Sequence, residues 1–339
     1  MWFDYQVGVN GSGAENFEPM QSFWATPASD RAGGGALYQI PSGFVADPQT
    51  DTSNASLLKP GNGGGFAFMM QSHSWGSWVY ELSELSRNGS GFTTLKFGAG
   101  GQQEARGNGG AGGGSFYLSH RLELLDCEDE WYFDAATSTL HLGVAGGQQP
   151  PTALVAPVVE RLFDVCGTQA APVQSVRISS LTLRHASPSF MRGYTAPSGG
   201  DYSVSRTAAV RLQGTRNASI DHCLLDALGG NGVALIDFNR NASVSANEMR
   251  LLGENGVILV GSTDWVDGRG GDQPRFNAVS ENLIYQFGLY TKQSCAVLSA
   301  VACQNTIERN VLFHGPRALI NINDGCGGTD FSLLVLLPD

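Results

Sequence analysis

Part of the chain repeats itself without a gap. Asn217 opens NASIDHCLLDALGGNGVALIDF, and Asn241, 24 residues on, opens NASVSANEMRLLGENGVILVGS. Ile220 matches Val244, Leu228 matches Leu252 and Gly229 matches Gly253. Asn231 matches Asn255, Gly232 matches Gly256, Val233 matches Val257 and Leu235 matches Leu259. The pattern then loosens. VSEN ends at Asn282, with Gly288 six residues on, as Gly253 follows Asn247. IERN ends at Asn310, with Gly315 five on. The periods are 24, 35 and 28 residues, and the variation falls in loops. The pair of short strands in VRISSLTLRH fits as a preceding turn.

Each unit has two or three short strands and too little apolar surface to fold alone. Stacking solves this. A coil of such length, advancing about 4.8 Å per turn, pairs each strand with its equivalents above and below. Asn247, Asn282 and Asn310 then form a ladder whose amides satisfy the turn backbone. Cys223 holds the same place one coil earlier. The glycines are expected to supply positive φ at the corners. A leucine-rich horseshoe is disfavoured, because neither Leu-x-x-Leu-x-Leu spacing nor a 3.6-residue period is present. The expected fold is all-β: a right-handed parallel β-helix over 175–330, with 331–339 a terminal strand or truncated end.

Composition agrees. The 339 residues include 45 Gly, and charged residues are 15% against a usual share of about 25%. That excludes a coiled coil, a helical bundle and a highly charged disordered chain. Net charge is −11. Residues 1–174 carry 7 Lys+Arg against 17 Asp+Glu, and residues 175–338 carry 13 of each. That break sets the expected boundary at 174/175. The acidic balance argues against a nucleic-acid partner, which needs a basic face. No segment approaches the ~18 apolar residues of a membrane span. MWFDYQVG lacks the basic and apolar regions of a signal peptide, and reads like the middle of a longer protein. Six Cys are too dilute for a disulfide scaffold; Cys295 and Cys303 pair or are buried thiols. No Cys/His spacing suits zinc, so no metal or cofactor is expected. Sequons at Asn10, Asn54, Asn88, Asn217 and Asn241 favour secretion.

Residues 1–174 read as β-rich. GGGFAFMMQSHSWGSWVYEL (63–82) suggests two strands around a His73–Trp75 turn, whose aromatic ring either stacks on a sugar or packs in the core. Residues 98–114 form a glycine-rich loop without the Gly-Lys-Ser/Thr of a phosphate loop. EWYFDAATSTLHL reads as a hairpin turning at Ala136–Ser138.

Several segments carry a resemblance: GGQQEARG (100–107), ELLDCEDEWYFDAATSTLHL (123–142), SGGDYSVSRTAAVRL (198–212), the coils above, and HGPRALININDGCGG (314–328). Together they resemble right-handed parallel β-helix proteins of the pectin-lyase-like superfamily. More narrowly, they resemble a group of large β-helix proteins found in marine and protist genomes. The resemblance covers roughly 100–328 and implies a carbohydrate-active, extracellular or cell-surface protein. It speaks to fold more than to reaction, since β-helices host lyases, hydrolases, esterases and non-enzymes. One departure is plain: members generally continue with further coils after the NDG-x-GG segment, whereas here the chain turns to TDFSLLVLLPD.

In such a fold, equivalent strands form a flat groove that suits a polymer. If Ile320 and Ile322 point inward, Asn321 and Asn323 point outward by strand alternation. Coil alignment places Asn231, then Glu254 and Asn255, then Lys292, then His314 and Arg317 near one corner. Two mechanisms fit. In β-elimination, Arg317 or a metal neutralises a uronate carboxylate and Lys292 or His314 removes the C5 proton. The resemblance extends to chondroitinase-B-like lyases, which use a comparable Lys/Arg groove. Alternatively, Glu254, Lys292 and Arg317 form ordinary surface ion pairs. Glycoside hydrolysis needs two carboxyl groups, and Asp237 with Asp264 or Asp267 suits the spacing. Asp324 lies three coils from Asp237, about 14 Å away by simple stacking. The loop STDWVDGRGGDQP (262–274) offers weak calcium potential without EF-hand spacing. Asp201 and Arg206 read as a structural salt bridge. The expected function is cleavage of a polysaccharide by lyase or hydrolase chemistry, in a monomer. The competing reading is a non-catalytic glycan-binding or structural β-helix.

Overall fold

The computed structural model describes residues 18–25, 41–46, 61–62, 64–70, 77–87, 93–101, 115–146, 148–195, 204–262, 270–323, 330–332 and 335–336. The chain divides into two compact units, 1–154 and 155–339. The expectations on His73, Trp75, Asp201, Asp264, Asp267, Asp324, residues 102–114 of the glycine-rich loop and the sequons at Asn10, Asn54 and Asn88 lie outside the described residues.

The first unit holds a seven-stranded antiparallel sheet. It includes the antiparallel pair Phe66–Met70 and Ser77–Arg87, the two strands expected around 63–82. Alternation buries Trp78, Tyr80, Leu82 and Leu118 in one apolar cluster. The Tyr80 ring stacks on Phe97 at 3.9 Å between centroids. Gly101, at φ +74, lies so close that a Cβ would fall 2.2 Å from that ring. The hairpin is also present: Trp131–Asp134 pairs with Thr139–Leu142, and Ala135–Ser138 turn between them.

The second unit is the parallel β-helix. Its first coil is formed by Phe163–Cys166, Val173–Gln174, Arg177–Ser179 and Thr182–Arg184. Coils therefore begin ahead of residue 175, the start read from the charge pattern. The second coil is Val210–Arg216, Ser219–Asp221 and Leu224–Leu228, and the third is Val233–Arg240, Ser243–Ser245 and Glu248–Leu252. The fourth runs from Val257–Val260 through Pro274–Arg275 and Ala278–Ser280 to Leu283–Tyr285. Cys295–Ala300, Thr306–Glu308 and Val311–Phe313 make the fifth, and Ala318–Asn323, Asp330–Ser332 and Val335–Leu336 the sixth. Asp330–Ser332 and Val335–Leu336 of the terminal segment thus continue the stack, pairing in parallel with the fifth coil.

First, second and third strands of successive coils form three parallel faces. The register is the one the repeat implies: Ile220 pairs with Val244, Leu228 with Leu252, Val233 with Val257 and Leu235 with Leu259. Inward residues form one core running along the axis, including Leu212, Leu235 and Leu259 from face one, Ile220 and Val244 from face two, and Leu225 and Met249 from face three.

Asparagine ladders hold the corners. Between faces two and three, Asn247 Nδ2 donates to Asn282 Oδ1 at 3.0 Å and Asn282 Nδ2 to Asn310 Oδ1 at 3.0 Å. The same Oδ1 atoms accept the backbone N–H groups of Asn247 and Asn282, and Asn247 Oδ1 accepts that of Cys223. A second ladder, not foreseen, runs between faces one and two: Asn277 Nδ2 donates to Asn305 Oδ1 at 3.0 Å, and Asn277 Oδ1 accepts Ala242 N–H.

The expectation for glycine needs correction. Positive φ at the corners is carried largely by other residues, as in the column Ser180, His222, Ala246, Glu281 and Arg309, with φ of 58, 55, 54, 61 and 53°. Gly253 answers a different demand, close approach between coils. A Cβ there would lie 2.2 Å from the Gly229 carbonyl oxygen.

Candidate functional site

The exterior of face one changes character along the stack. Register and alternation place Arg211, Ala234, Ile258, Leu298 and Asn321 in one outward column. Gln213, Ile236, Val260, Ala300 and Asn323 form the next. Both columns are apolar in coils three to five, and Ile258 and Leu298 are buried, in a cluster that includes Val204 and Ala208. A continuous polar trough is therefore absent from the described part of face one. Polar side chains stand at its two ends.

At the far end, Asn321 and Asn323 align with the outward Leu298 and Ala300, and Ile320 packs on the core. Ile322 aligns with the inward Ser299 yet is 46% exposed. Asn321 Oδ1 is buried without a hydrogen-bond partner.

At the near end, Asp237 is the centre of a network. It sits on a bulge where Gln213 faces Ile236 but Thr215 faces Asn239, so the third coil carries one extra residue. Its φ of 56° is in the left-handed region, a conformation of order 1 kcal/mol unfavourable for a residue with a Cβ. Hydrogen bonds offset this. Asp237 Oδ1 accepts from Arg206 Nη1 at 2.9 Å and from Ser262 Oγ at 2.6 Å, and Oδ2 accepts from Gln213 Nε2 at 2.9 Å. Gln213 Oε1 in turn takes Arg211 Nη2, while Arg211 Nη1 donates to Asp164 Oδ1 at 2.8 Å. The network links two carboxylates through one guanidinium group and an amide, with a second guanidinium, that of Arg206, on Asp237. The Asp237 and Arg206 side chains keep 21% and 25% exposure. Arg206 also donates to Thr195 Oγ1 at 3.1 Å and to the Gly261 carbonyl. Gly261 and Ser262 begin the loop that carries Asp264 and Asp267, and Ser262 N–H donates to the Asp272 carbonyl at 2.8 Å, closing its base.

The corner between faces three and one is different from the cluster read in the sequence. Asn231 and Asn255 form a third ladder: Asn255 Nδ2 donates to Asn231 Oδ1 at 2.8 Å, and Asn255 Oδ1 accepts Cys295 N–H at 2.7 Å. Glu254 is 1% exposed. Its Oε1 accepts from Tyr194 OH at 2.7 Å and Ser189 Oγ at 3.0 Å, and Oε2 has no partner. Burial pushes its carboxyl up to about 7, against the pull of those donors. It forms no ion pair with Lys292, whose Nζ donates to the Leu289 carbonyl at 3.3 Å. His314 and Arg317 are exposed, and the His314 ring sits edge-on to Phe313 at 4.8 Å. Glu254 N–H donates to the Gly230 carbonyl, at the corner that precedes the strand Val233–Arg240 carrying Asp237.

Among the described residues, Asp126, Cys127 and Glu130 have potential metal-ligand atoms within 4.8 Å of one another. Glu130 Oε2 is already taken by the Asp126 and Cys127 backbone N–H groups, and burial with nearby carboxylates pushes the Cys127 thiol up. The group closes a turn. Cys295 and Cys303 are both free thiols. The sequon residues Asn217 and Asn241 are exposed on successive coils, with Asn241 Nδ2 3.4 Å from Asn217 Oδ1. No helix among the described residues is long and apolar enough to cross a membrane.

No protein-family model and no curated protein matches the chain. Among solved structures, a chain described as "Glycoside hydrolase" is similar with a TM-score of 0.67 and 16% identity, over 94% of this chain and 57% of that one. At that identity the likeness is one of fold, and this chain spans little more than half the length of the other.

Proposed function

We propose that this is an extracellular carbohydrate-active β-helix protein that cleaves a polysaccharide by glycoside hydrolysis at the near end of face one. The observation that carries this reading is the Asp237 network. A carboxylate is re-aimed outward by a bulge, held by Arg206, Gln213 and Ser262, and left partly open to solvent. Guanidinium, amide and hydroxyl groups beside a carboxylate are the donors and acceptors a sugar's hydroxyls need. The description of the similar solved structure points the same way.

Hydrolysis requires a second carboxyl group roughly 5–9.5 Å from the first. Asp264 and Asp267 follow Ser262 by two and five residues, on the loop anchored to Asp237, and either is the partner in this reading. Asp237, held by Arg206, Gln213 and Ser262, acts as base or nucleophile; the loop carboxyl donates the proton to the leaving oxygen. Elimination has less support, because the similar solved structure is described as a glycoside hydrolase. A non-catalytic glycan-binding protein is the second reading. It is favoured by the full complement of hydrogen bonds already on Asp237 and by the apolar columns that interrupt the face.

A panel of neutral and uronic polysaccharides distinguishes these readings. New reducing ends without unsaturated uronate support hydrolysis, and their loss in Asp237→Asn places the site. Unsaturated product points to elimination. Saturable binding with no product from any glycan leaves the binding reading.

A further inference from the structure

The corner between faces three and one concentrates unpartnered buried atoms. Glu254 Oε2, Ser205 Oγ and Thr207 Oγ1 are all sealed from solvent and bonded to nothing among the described residues. Asn231 Nδ2 donates to the Ser205 and Thr207 carbonyls at 3.1 and 2.8 Å. Glu254 accepts from Tyr194, and Thr291 Oγ1 lies 2.9 Å from Ser294 Oγ.

Over this corner lies a strap, Ser187–Thr195. It sits directly on the corner glycines: a Cβ on Gly229 would lie 2.3 Å from Pro188 N, and one on Gly230 2.2 Å from Ser189 Oγ. Phe190 packs on Tyr290 at 5.0 Å, and Tyr194–Thr195 pairs with Val204–Ser205. Two strap side chains, Ser189 and Tyr194, bond Glu254, and both bond the same oxygen. Glu254 is 1% exposed and its Oε2 meets neither a donor nor a cation, surroundings that favour the neutral acid. Glu160, which pairs with Arg192 on the strap, adds negative charge near Glu254; Tyr194 is neutral; Lys292 directs its ammonium to the Leu289 carbonyl.

We propose that Glu254 is a proton-held latch that fixes the strap and thereby positions Arg206 against Asp237. The linkage is short. Thr195 follows Tyr194 and accepts from Arg206 Nε, and Arg206 Nη1 bonds Asp237. Loss of the proton leaves a buried anion without a cation, which favours lifting of the strap into water. Arg206 then loses its Thr195 support. Glu254 is a positioning residue here. Its bearing on glycan binding rests on the reading above, whereas the latch stands without it.

Amide hydrogen exchange over 187–195, corrected for intrinsic rates, tests the latch at pH 6 and pH 8, either side of the Glu254 value of about 7. The expected result is roughly ten-fold or greater loss of protection at pH 8 in the wild type. Glu254→Gln, which keeps an acceptor and a neutral donor, is expected to stay protected at both. The Arg206 Nε–H signal, followed by nuclear magnetic resonance, is expected to shift in step in the wild type and to stay constant in the variant. A protonated-carboxyl infrared band at pH 6, absent from Glu254→Gln, completes the assignment. Equal protection of the wild type at both pH values overturns the proposal. So does restoration of protection at pH 8 by sodium or calcium, which would identify the occupant as a cation. None of these readouts depends on a glycan, so failure of the latch and failure of the carbohydrate reading are separable.

Discussion

The corner holding Asn247, Asn282 and Asn310 and the corner holding Glu254 are turns of the same coil, built to opposite plans. In the first, the Asn282 and Asn310 oxygens each accept both a backbone N–H and an amide from the coil before, and Asn247 Oδ1 accepts the Cys223 N–H, so few groups are left over. In the second, a ladder of Asn231 and Asn255 is present, but one carboxyl oxygen and two hydroxyls around it are unpartnered among the described residues. The first corner is organised for stability. The second is a buried polar site under a removable cover, the kind of place where a fold stores a response.

Mutation of the ladder is the severest test of that contrast. Asn282→Ala removes the acceptor for Asn247 and the donor to Val244, leaving buried groups unmatched on both sides. At about 1–3 kcal/mol for each orphaned group, a loss of roughly 3–5 kcal/mol is expected in urea unfolding. A loss below 1 kcal/mol would remove the ladder's claim to stability.

The Glu254 corner predicts a pH slope instead. Its folded value of about 7 lies above the ordinary 4.5, so the folded state binds more protons than the unfolded one between these values. The stabilising contribution is complete below 4.5 and is lost as pH rises through 7. The drop amounts to about 3 kcal/mol. Unfolding at pH 5 and pH 8 measures it, and Glu254→Gln is expected to flatten that component.

Glycine substitutions sharpen the packing side. Gly253→Ala pushes a methyl into the Gly229 backbone and is expected to destabilise by about 2 kcal/mol, while Gly146→Ala, where nothing lies within 4 Å, is expected to be silent in the same thermal melts. Asp237→Asn keeps the size and most of the hydrogen bonds. A stability change near 1 kcal/mol is expected, together with loss of glycan cleavage in the reducing-end assay. Smallest of all, Arg309→Ala breaks exposed pairs with Glu281 and Glu308 and is expected to shift stability by about 0–1 kcal/mol.

The β-helix was legible because its signal is periodic. Asn247, Asn282 and Asn310 recur at one phase of the coil, and the structure stacks them. Asn255 recurs 24 residues after Asn231 and carried the same signal, but reading it as part of a groove-side cluster hid its ladder role. The apolar exterior of face one also had a signature that went unused. VALI (233–236) and VILV (257–260) are unbroken apolar runs, the mark of a strand buried on both sides. The strap had none. Ser187–Thr195 follows no period, so nothing in the sequence could show that Ser189 and Tyr194 meet Glu254 across 65 and 60 positions. Without that contact, Glu254 reads as a surface acid beside Lys292.

The ungapped 24-residue interval has a further consequence. Arg216 and Arg240 are register partners, each followed by an asparagine at the same φ within a degree. Excising 217–240 would therefore rejoin Arg216 to Asn241 one full revolution along, like taking a single thread out of a screw. Chains of this kind can lengthen or shorten by whole revolutions, and a genome can adjust their reach by copying one exon-sized cassette.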